Sequence, residues 1–168
     1  AATLSVPNSP GVTAGTTQDT CILPYNDGPA VERLFAEKPG KIAAIIMEGV
    51  VGSNGLIVPP DDYWPRVREI CDKYGILLIS DEVMSGWGRT GQWFAVDNWD
   101  VTPDIITTAK GITSGYVPLG GLAISWWAFA SSREQHLAAT DNAEGENKLD
   151  TTLIDSGSVL FFLVGFAW

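Results

Sequence analysis

The sequence has few basic residues, a single histidine and only two cysteines. Ten Lys and Arg residues stand against twenty Asp and Glu residues, which gives a formal net charge of −10. Nucleic-acid binding requires clustered Lys and Arg, so we expect no nucleic-acid partner. Cys21 and Cys71 fit no metal-ligand spacing and are expected to be reduced thiols. His136 stands alone, so no metal site is expected.

Long hydrophobic runs are also missing. The longest apolar stretch, 159–168, is shorter than the roughly 20 residues that cross a bilayer. The first residues lack the basic segment and apolar run of a signal peptide. We therefore expect a cytoplasmic protein without a membrane partner. The 168 residues, 45% of them hydrophobic, are enough for one domain with a core.

Helical and strand patterns alternate along the middle of the chain. Pro29 is expected to occupy the first helical position, and that helix is expected to end at Gly40. Asp61 or Asp62 is expected to cap a second helix, which ends at Gly75. Short apolar runs of strand length cover residues 41–48, 76–80 and 104–109. The alternation predicts an α/β fold with a mostly parallel sheet flanked by helices.

Polar residues follow these strands where each one ends. Glu48 ends the first strand, Asp81 ends the second, and Lys110 follows the third. Ligands of open α/β sheets bind beyond the carboxyl ends of the strands, so these side chains form a candidate site. On their positions alone, Asp81 and Lys110 fit a structural ion pair as well as a binding site.

The motifs around these residues occur in a characteristic order. Asp-Glu-Val starts at Asp81 and is followed by Gly-Arg-Thr-Gly, Pro-Asp, Ala-Lys-Gly around Lys110, and Pro-Leu-Gly. In this order and spacing, residues 24–125 resemble a class III, fold-type I aminotransferase. The resemblance is closest to the branch that acts on omega-amines or omega-amino acids, including taurine, with pyruvate.

The resemblance implies a cofactor, pyridoxal 5'-phosphate, and a role for three residues. Lys110 would hold the cofactor aldehyde as a Schiff base and, once free, would move the substrate proton. Asp81 would keep the ring nitrogen protonated through a charge-assisted hydrogen bond. Val83 would pack on the cofactor ring, although an ordinary core valine is the alternative interpretation.

The resemblance also implies the reaction and its partners. The chain would transfer an amino group from an amine or omega-amino acid to a keto acid such as pyruvate, within a family whose full-length members form homodimers. Residues 1–125 would form part of the cofactor-binding large domain, and 126–168 form an unmatched tail. Because the family's phosphate-binding and carboxylate-binding segments have no counterpart here, the alternative is a truncated, non-catalytic fragment or interaction domain that keeps the fold. An α/β hydrolase is disfavoured because the sequence has no Gly-x-Ser-x-Gly elbow.

Other candidate residues are expected to be structural. Glu48 is expected to form an ion pair rather than to act in catalysis. Arg89 is expected to stabilise its loop near a subunit interface. Four tryptophans are expected to lie in the core or at an interface rather than to touch substrate: Trp64, Trp87, Trp93 and Trp99.

Overall fold

A computed structural model describes residues 11, 14–17, 19–52 and 54–125, together with the backbone of 160–164. The predicted tail, 126–168, therefore lies outside the described residues apart from one strand. The helices and strands, in chain order, are α1 Ala14–Thr17, α2 Gly28–Glu37, β1 Ala44–Glu48, α3 Tyr63–Tyr74, β2 Leu77–Asp81, β3 Ile105–Thr108, β4 Gly120–Ile124 and β5 Leu160–Val164. Two 3₁₀ turns cover Ala95–Trp99 and Lys110–Thr113.

The five strands form one sheet in the order β1-β2-β3-β4-β5. The three strands that the sequence predicts, β1 to β3, are parallel to one another, which confirms the α/β fold. Strands β4 and β5 extend the sheet in antiparallel pairs. Because β4 begins with Gly120 and Gly121, its sequence resembles a turn, and its strand conformation depends on pairing with β3 and β5.

Helix α3 ends at Gly75 as its sequence predicts, whereas α2 begins at Gly28, one residue before Pro29, and ends at Glu37 rather than at the predicted Gly40. The Asp27 side chain caps α2 by accepting a hydrogen bond of 2.9 Å from the Ala30 amide, and a proline occupies the first turn. Asp62 occupies the N-cap position of α3, but its side chain makes no capping hydrogen bond. Gly75 ends α3 with a φ of 66°, a left-handed conformation that glycine adopts without steric cost.

Helices α2 and α3 cover one face of the sheet and form the core with it. Met47 of β1 and Leu78 of β2 point to this face, where Trp64 is fully buried. Burying an apolar side chain of this size contributes roughly 1.5–3 kcal/mol. Since side chains alternate along a strand, Ile46 points to the opposite face, where it is 59% exposed among the described residues.

A buried aspartate ties the start of β3 to its neighbours. The Asp104 carboxylate accepts hydrogen bonds from the Leu78 amide, at 2.7 Å, and from Arg68 Nη1, at 2.8 Å. The Asp104 backbone amide also donates a hydrogen bond to the Leu78 carbonyl at 2.9 Å. These bonds join β3 to β2 and to α3, and so set the register that brings the far ends of the strands together.

Candidate active site

The carboxyl ends of β1, β2 and β3 meet at one edge of the sheet. Glu48 pairs in register with Asp81, and Asp81 pairs with Thr107. Lys110 lies just beyond β3 and starts the 3₁₀ turn there. The sheet therefore brings the acidic residues and the lysine to the same edge, as the strand order predicts.

Asp81 holds one of its carboxylate oxygens in a fixed position. Oδ1 accepts hydrogen bonds from the Val83 amide, at 3.0 Å, and from the Thr107 hydroxyl, at 3.3 Å. Oδ2 accepts none from the part of the chain that the structure describes. The side chain is only partly buried. Asp81 therefore offers one oriented oxygen to an external donor.

Lys110 presents an amine without a carboxylate partner among the described residues. Its Nζ donates to the thioether sulfur of Met84, a weak acceptor, and the residue is exposed. The Lys110 backbone has a φ of 47°, which L-residues other than glycine, asparagine and aspartate seldom adopt. An exposed amine that has no carboxylate partner among the described residues can condense with a carbonyl group.

Val83 is partly buried beside Asp81. Its backbone amide is the group that donates to Asp81 Oδ1. The contact predicted between the Val83 side chain and a cofactor ring stays a prediction.

The prediction that Glu48 forms an ion pair is wrong, since Glu48 has no Lys or Arg partner among the described residues. Glu48 Oε2 instead accepts a hydrogen bond of 2.8 Å from the Gly52 amide, so it holds its own loop. The Tyr25 hydroxyl donates to the Glu48 carbonyl at 2.8 Å, and burial raises the pKa of Tyr25 above its ordinary value. The next residue is glycine because a Cβ on Gly49 would lie 2.6 Å from the Cβ of Ala95.

The loop after Asp81 is held by a residue that the sequence interpretation passed over. Glu82 is completely buried. Its Oε1 accepts from the Ser80 hydroxyl, at 3.1 Å, and from the Val96 amide, at 2.9 Å. Its Oε2 accepts from the Ser85 hydroxyl, at 2.7 Å, and from the Ala95 amide, at 2.9 Å. The signal available in the sequence was an acidic residue directly after a buried strand and between two serines.

Arg89 does not take the loop-stabilising role predicted for it. It is exposed and makes no hydrogen bond or ion pair within the described segments. The four bonds to Glu82 stabilise this loop instead.

Of the four tryptophans, Trp64 is a core residue and Trp99 packs against the core, whereas Trp93 is 71% exposed. Trp87 lies partly buried beside Lys110.

A cavity of about 570 Å³ lies elsewhere, at the opposite edge of the sheet. Its lining includes Ala43, Leu77 and Asp104, which lie where β1, β2 and β3 begin. It is therefore separate from the edge that carries Asp81 and Lys110.

Within the described residues, no group of histidine, cysteine and acidic side chains could hold a metal ion. None of the described helices has the length and hydrophobicity needed to cross a membrane.

Comparisons with known proteins assign the chain to a family. The profile of the family described as class-III aminotransferases matches residues 2–125. The putrescine–pyruvate aminotransferase of Pseudomonas aeruginosa is 53% identical over 83 residues, which cover 49% of this chain and 18% of that protein. The glutamate-1-semialdehyde 2,1-aminomutase of an Anaeromyxobacter species is 48% identical over 118 residues, which cover 70% of this chain and 27% of that protein.

A solved structure shares the fold as well as the sequence. A transaminase from the marine bacterium Virgibacillus superposes with a TM-score of 0.61 at 46% identity, covering 65% of this chain and 25% of that one. The chain thus spans between about a fifth and just over a quarter of the length of these proteins.

Proposed function

We propose, from the premise that this chain belongs to the class-III aminotransferase family, that its sheet edge binds pyridoxal 5'-phosphate for amino-group transfer. In this proposal the amino group passes from an amine or omega-amino acid to a keto acid such as pyruvate. The observation that carries the proposal is that Asp81 and Lys110 lie at one edge of the sheet. Among the described residues, Asp81 keeps one carboxylate oxygen without a donor, and the Lys110 amine has only the weak acceptor Met84 as a partner.

Two of the described residues fit two groups of the cofactor, its ring nitrogen and its aldehyde. Asp81 Oδ2 has no donor among the described residues, so it can accept a charge-assisted hydrogen bond from a protonated ring nitrogen. The Lys110 amine can hold the aldehyde carbon. When bound, pyridoxal 5'-phosphate supplies an electron sink for negative charge at the substrate carbon.

Each residue has a separate task in this proposal. Asp81 keeps a proton on the ring nitrogen, since an ionised carboxylate stabilises the charged form of its partner. Lys110 Nζ, after the substrate amine has taken its place, accepts the proton at the substrate carbon and returns it. Val83 supplies an apolar surface next to Asp81, which keeps water from that hydrogen bond.

The relatives support two versions of the reaction. The name of the putrescine–pyruvate relative describes transfer between two molecules, and it supports an amine donor with pyruvate as acceptor. The name of the aminomutase relative describes a shift of the amino group within one molecule. Formation of alanine from pyruvate distinguishes them, because an internal shift consumes no pyruvate. The homodimer implied by the family and the cytoplasmic location expected from the sequence belong to the same proposal, and sedimentation and cell fractionation test them.

The first experiment locates the cofactor. The full chain is incubated with pyridoxal 5'-phosphate and reduced with borohydride, and the modified peptide is identified by mass spectrometry. We expect the label on Lys110 and its loss in Lys110→Ala, while the matched control Lys41→Ala keeps it. A label on Lys41 or Lys73 in the unchanged chain would show that the assigned site is wrong.

The second experiment tests Asp81 and separates turnover from binding alone. Asp81→Asn keeps the shape but loses the charge, at a cost of about 1.5–3 kcal/mol for a charge-assisted bond. We expect the Lys110 label to persist and alanine formation to fall at least about tenfold. Equal rates for Asp81→Asn and the unchanged chain would remove Asp81 from the mechanism. A labelled chain that forms no alanine would favour the alternative of a fold-retaining segment without turnover.

A further inference from the structure

The backbone at Lys110 needs support from its surroundings. Its φ of 47° lies in the left-handed region, which a lysine leaves unless neighbouring contacts hold it there. The turn that Lys110 starts is closed by the Gly115 amide, which donates to the Lys110 carbonyl at 3.0 Å. The Ile112 amide also donates to the Ala109 carbonyl, at the longer distance of 3.3 Å, so two backbone bonds of the turn itself hold the lysine.

Trp87 contacts the chain on both sides of Lys110. Its indole Nε1 donates to the hydroxyl of Thr108, two residues before the lysine. Its side chain also packs on Gly111, the residue after the lysine, where an added Cβ would lie 2.8 Å from the Trp87 Cβ. The lysine is therefore bracketed by two contacts to one indole side chain.

Trp87 is itself held firmly enough to act as a support. Its backbone amide donates to the Trp93 carbonyl at 2.6 Å. Its ring makes edge contacts with Trp93 and Phe94, at centroid distances of 6.2 and 5.7 Å. The residues that follow Phe94 are anchored through their amides to the buried Glu82. The contacts thus run from the core to the lysine turn.

We propose that Trp87 is a positioning residue for Lys110, because it holds the left-handed turn that presents the amine at the sheet edge beside Met84. Trp87 acts through the Thr108 hydroxyl and through close packing on Gly111, and it need not touch the substrate. The inference rests on the proposed function of Lys110 and adds a residue to which neither the family resemblance nor the relatives assign a role.

The test uses the full chain and breaks the indole–hydroxyl bond from each end. Trp87→Phe keeps an aromatic ring but loses the donor, and Thr108→Val keeps the shape but loses the acceptor. Thr108→Ser restores the acceptor, and Trp99→Phe is the matched aromatic control, because Trp99 packs against the core on Trp64 and not on Trp87. The first readout is the share of the borohydride-fixed pyridoxal 5'-phosphate label that falls on Lys110. The second needs no cofactor: the acetylation rate of Lys110 by acetic anhydride relative to that of Lys41.

We expect Trp87→Phe and Thr108→Val each to lower the Lys110 share of the label, and to change the acetylation ratio, by about fivefold, the equivalent of one neutral hydrogen bond. The double variant should match the single variants, since both remove the same bond. Thr108→Ser and Trp99→Phe should behave like the unchanged chain. General destabilisation would instead add up in the double variant and would not be rescued by serine.

The outcomes separate this inference from the proposed function. If the unchanged chain takes no label on Lys110, the proposed function fails, and the acetylation ratio still decides the role of Trp87. If Trp87→Phe leaves the acetylation ratio unchanged, or if Thr108→Ser alters it as much as Thr108→Val, Trp87 does not position Lys110.

Discussion

Replacing Glu82 by glutamine tests how the loop next to the site is held. Each carboxylate oxygen of Glu82 accepts one serine hydroxyl and one backbone amide. A glutamine amide has one oxygen and one NH₂ group, so in either orientation one of the two amides, Ala95 or Val96, faces a donor. The serine hydroxyl on that side can rotate and accept instead, whereas a backbone amide cannot.

The magnitude follows from these bonds. A buried amide that loses its acceptor costs about 1–3 kcal/mol, and the bonds that remain change from charge-assisted to neutral, at roughly 1 kcal/mol each. Relief of the buried charge offsets part of this loss. We expect Glu82→Gln to lower the free energy of unfolding by about 2–4 kcal/mol. In urea this corresponds to a midpoint lower by about 1–2 M, for a slope of about 2 kcal/mol per M.

Urea unfolding followed by tryptophan fluorescence measures this change. The matched control is Glu69→Gln, because Glu69 is exposed on α3 and surface substitutions usually change stability by less than about 0.5 kcal/mol. Hydrogen exchange should also speed up in the peptide that contains Ala95 and Val96. Equal midpoints and unchanged exchange for the two variants would refute the assignment of Glu82 as the residue that holds this loop.

Two further predictions concern the core. Asp104→Ala leaves the buried Leu78 amide without its acceptor and leaves Arg68 paired with Asp72 alone, so it should lower the free energy of unfolding by about 2–4 kcal/mol. The exposed Asp61→Ala, in the same titration, should change it by less than about 0.5 kcal/mol. Burial raises the pKa of the Cys71 thiol from 9.0 to about 12, so as the pH rises this thiol ionises in the unfolded chain before it ionises in the folded chain. The stability contributed by the buried, protonated thiol is therefore complete below pH 9 and is lost as the pH rises towards 12. Cys71→Ala should therefore show a shallower loss of stability over that interval than Cys21→Ala, and parallel curves would contradict the assignment.

The sequence alone determined the elements whose signals are local. Apolar periodicity and capping residues placed α2 and α3, and three apolar runs placed β1 to β3, because those patterns depend on neighbours three or four residues apart in a helix and two apart in a strand. Once the strands were placed, the positions of their carboxyl ends could be predicted. Because parallel strands end at the same edge of a sheet, Asp81 and Lys110 were predicted to lie at one edge.

Only the tertiary structure decided which groups those residues contact. Glu82 takes its backbone donors from 13 and 14 residues further along the chain, and Trp87 meets Thr108 across 21 residues. Such distances carry no periodic signal, because they depend on how the loop returns to the sheet. The same reason explains the wrong predictions for Glu48 and Arg89. A charged residue in the sequence indicates the capacity to pair, but the fold alone decides whether a partner lies within reach, as a nearby backbone amide does for Glu48.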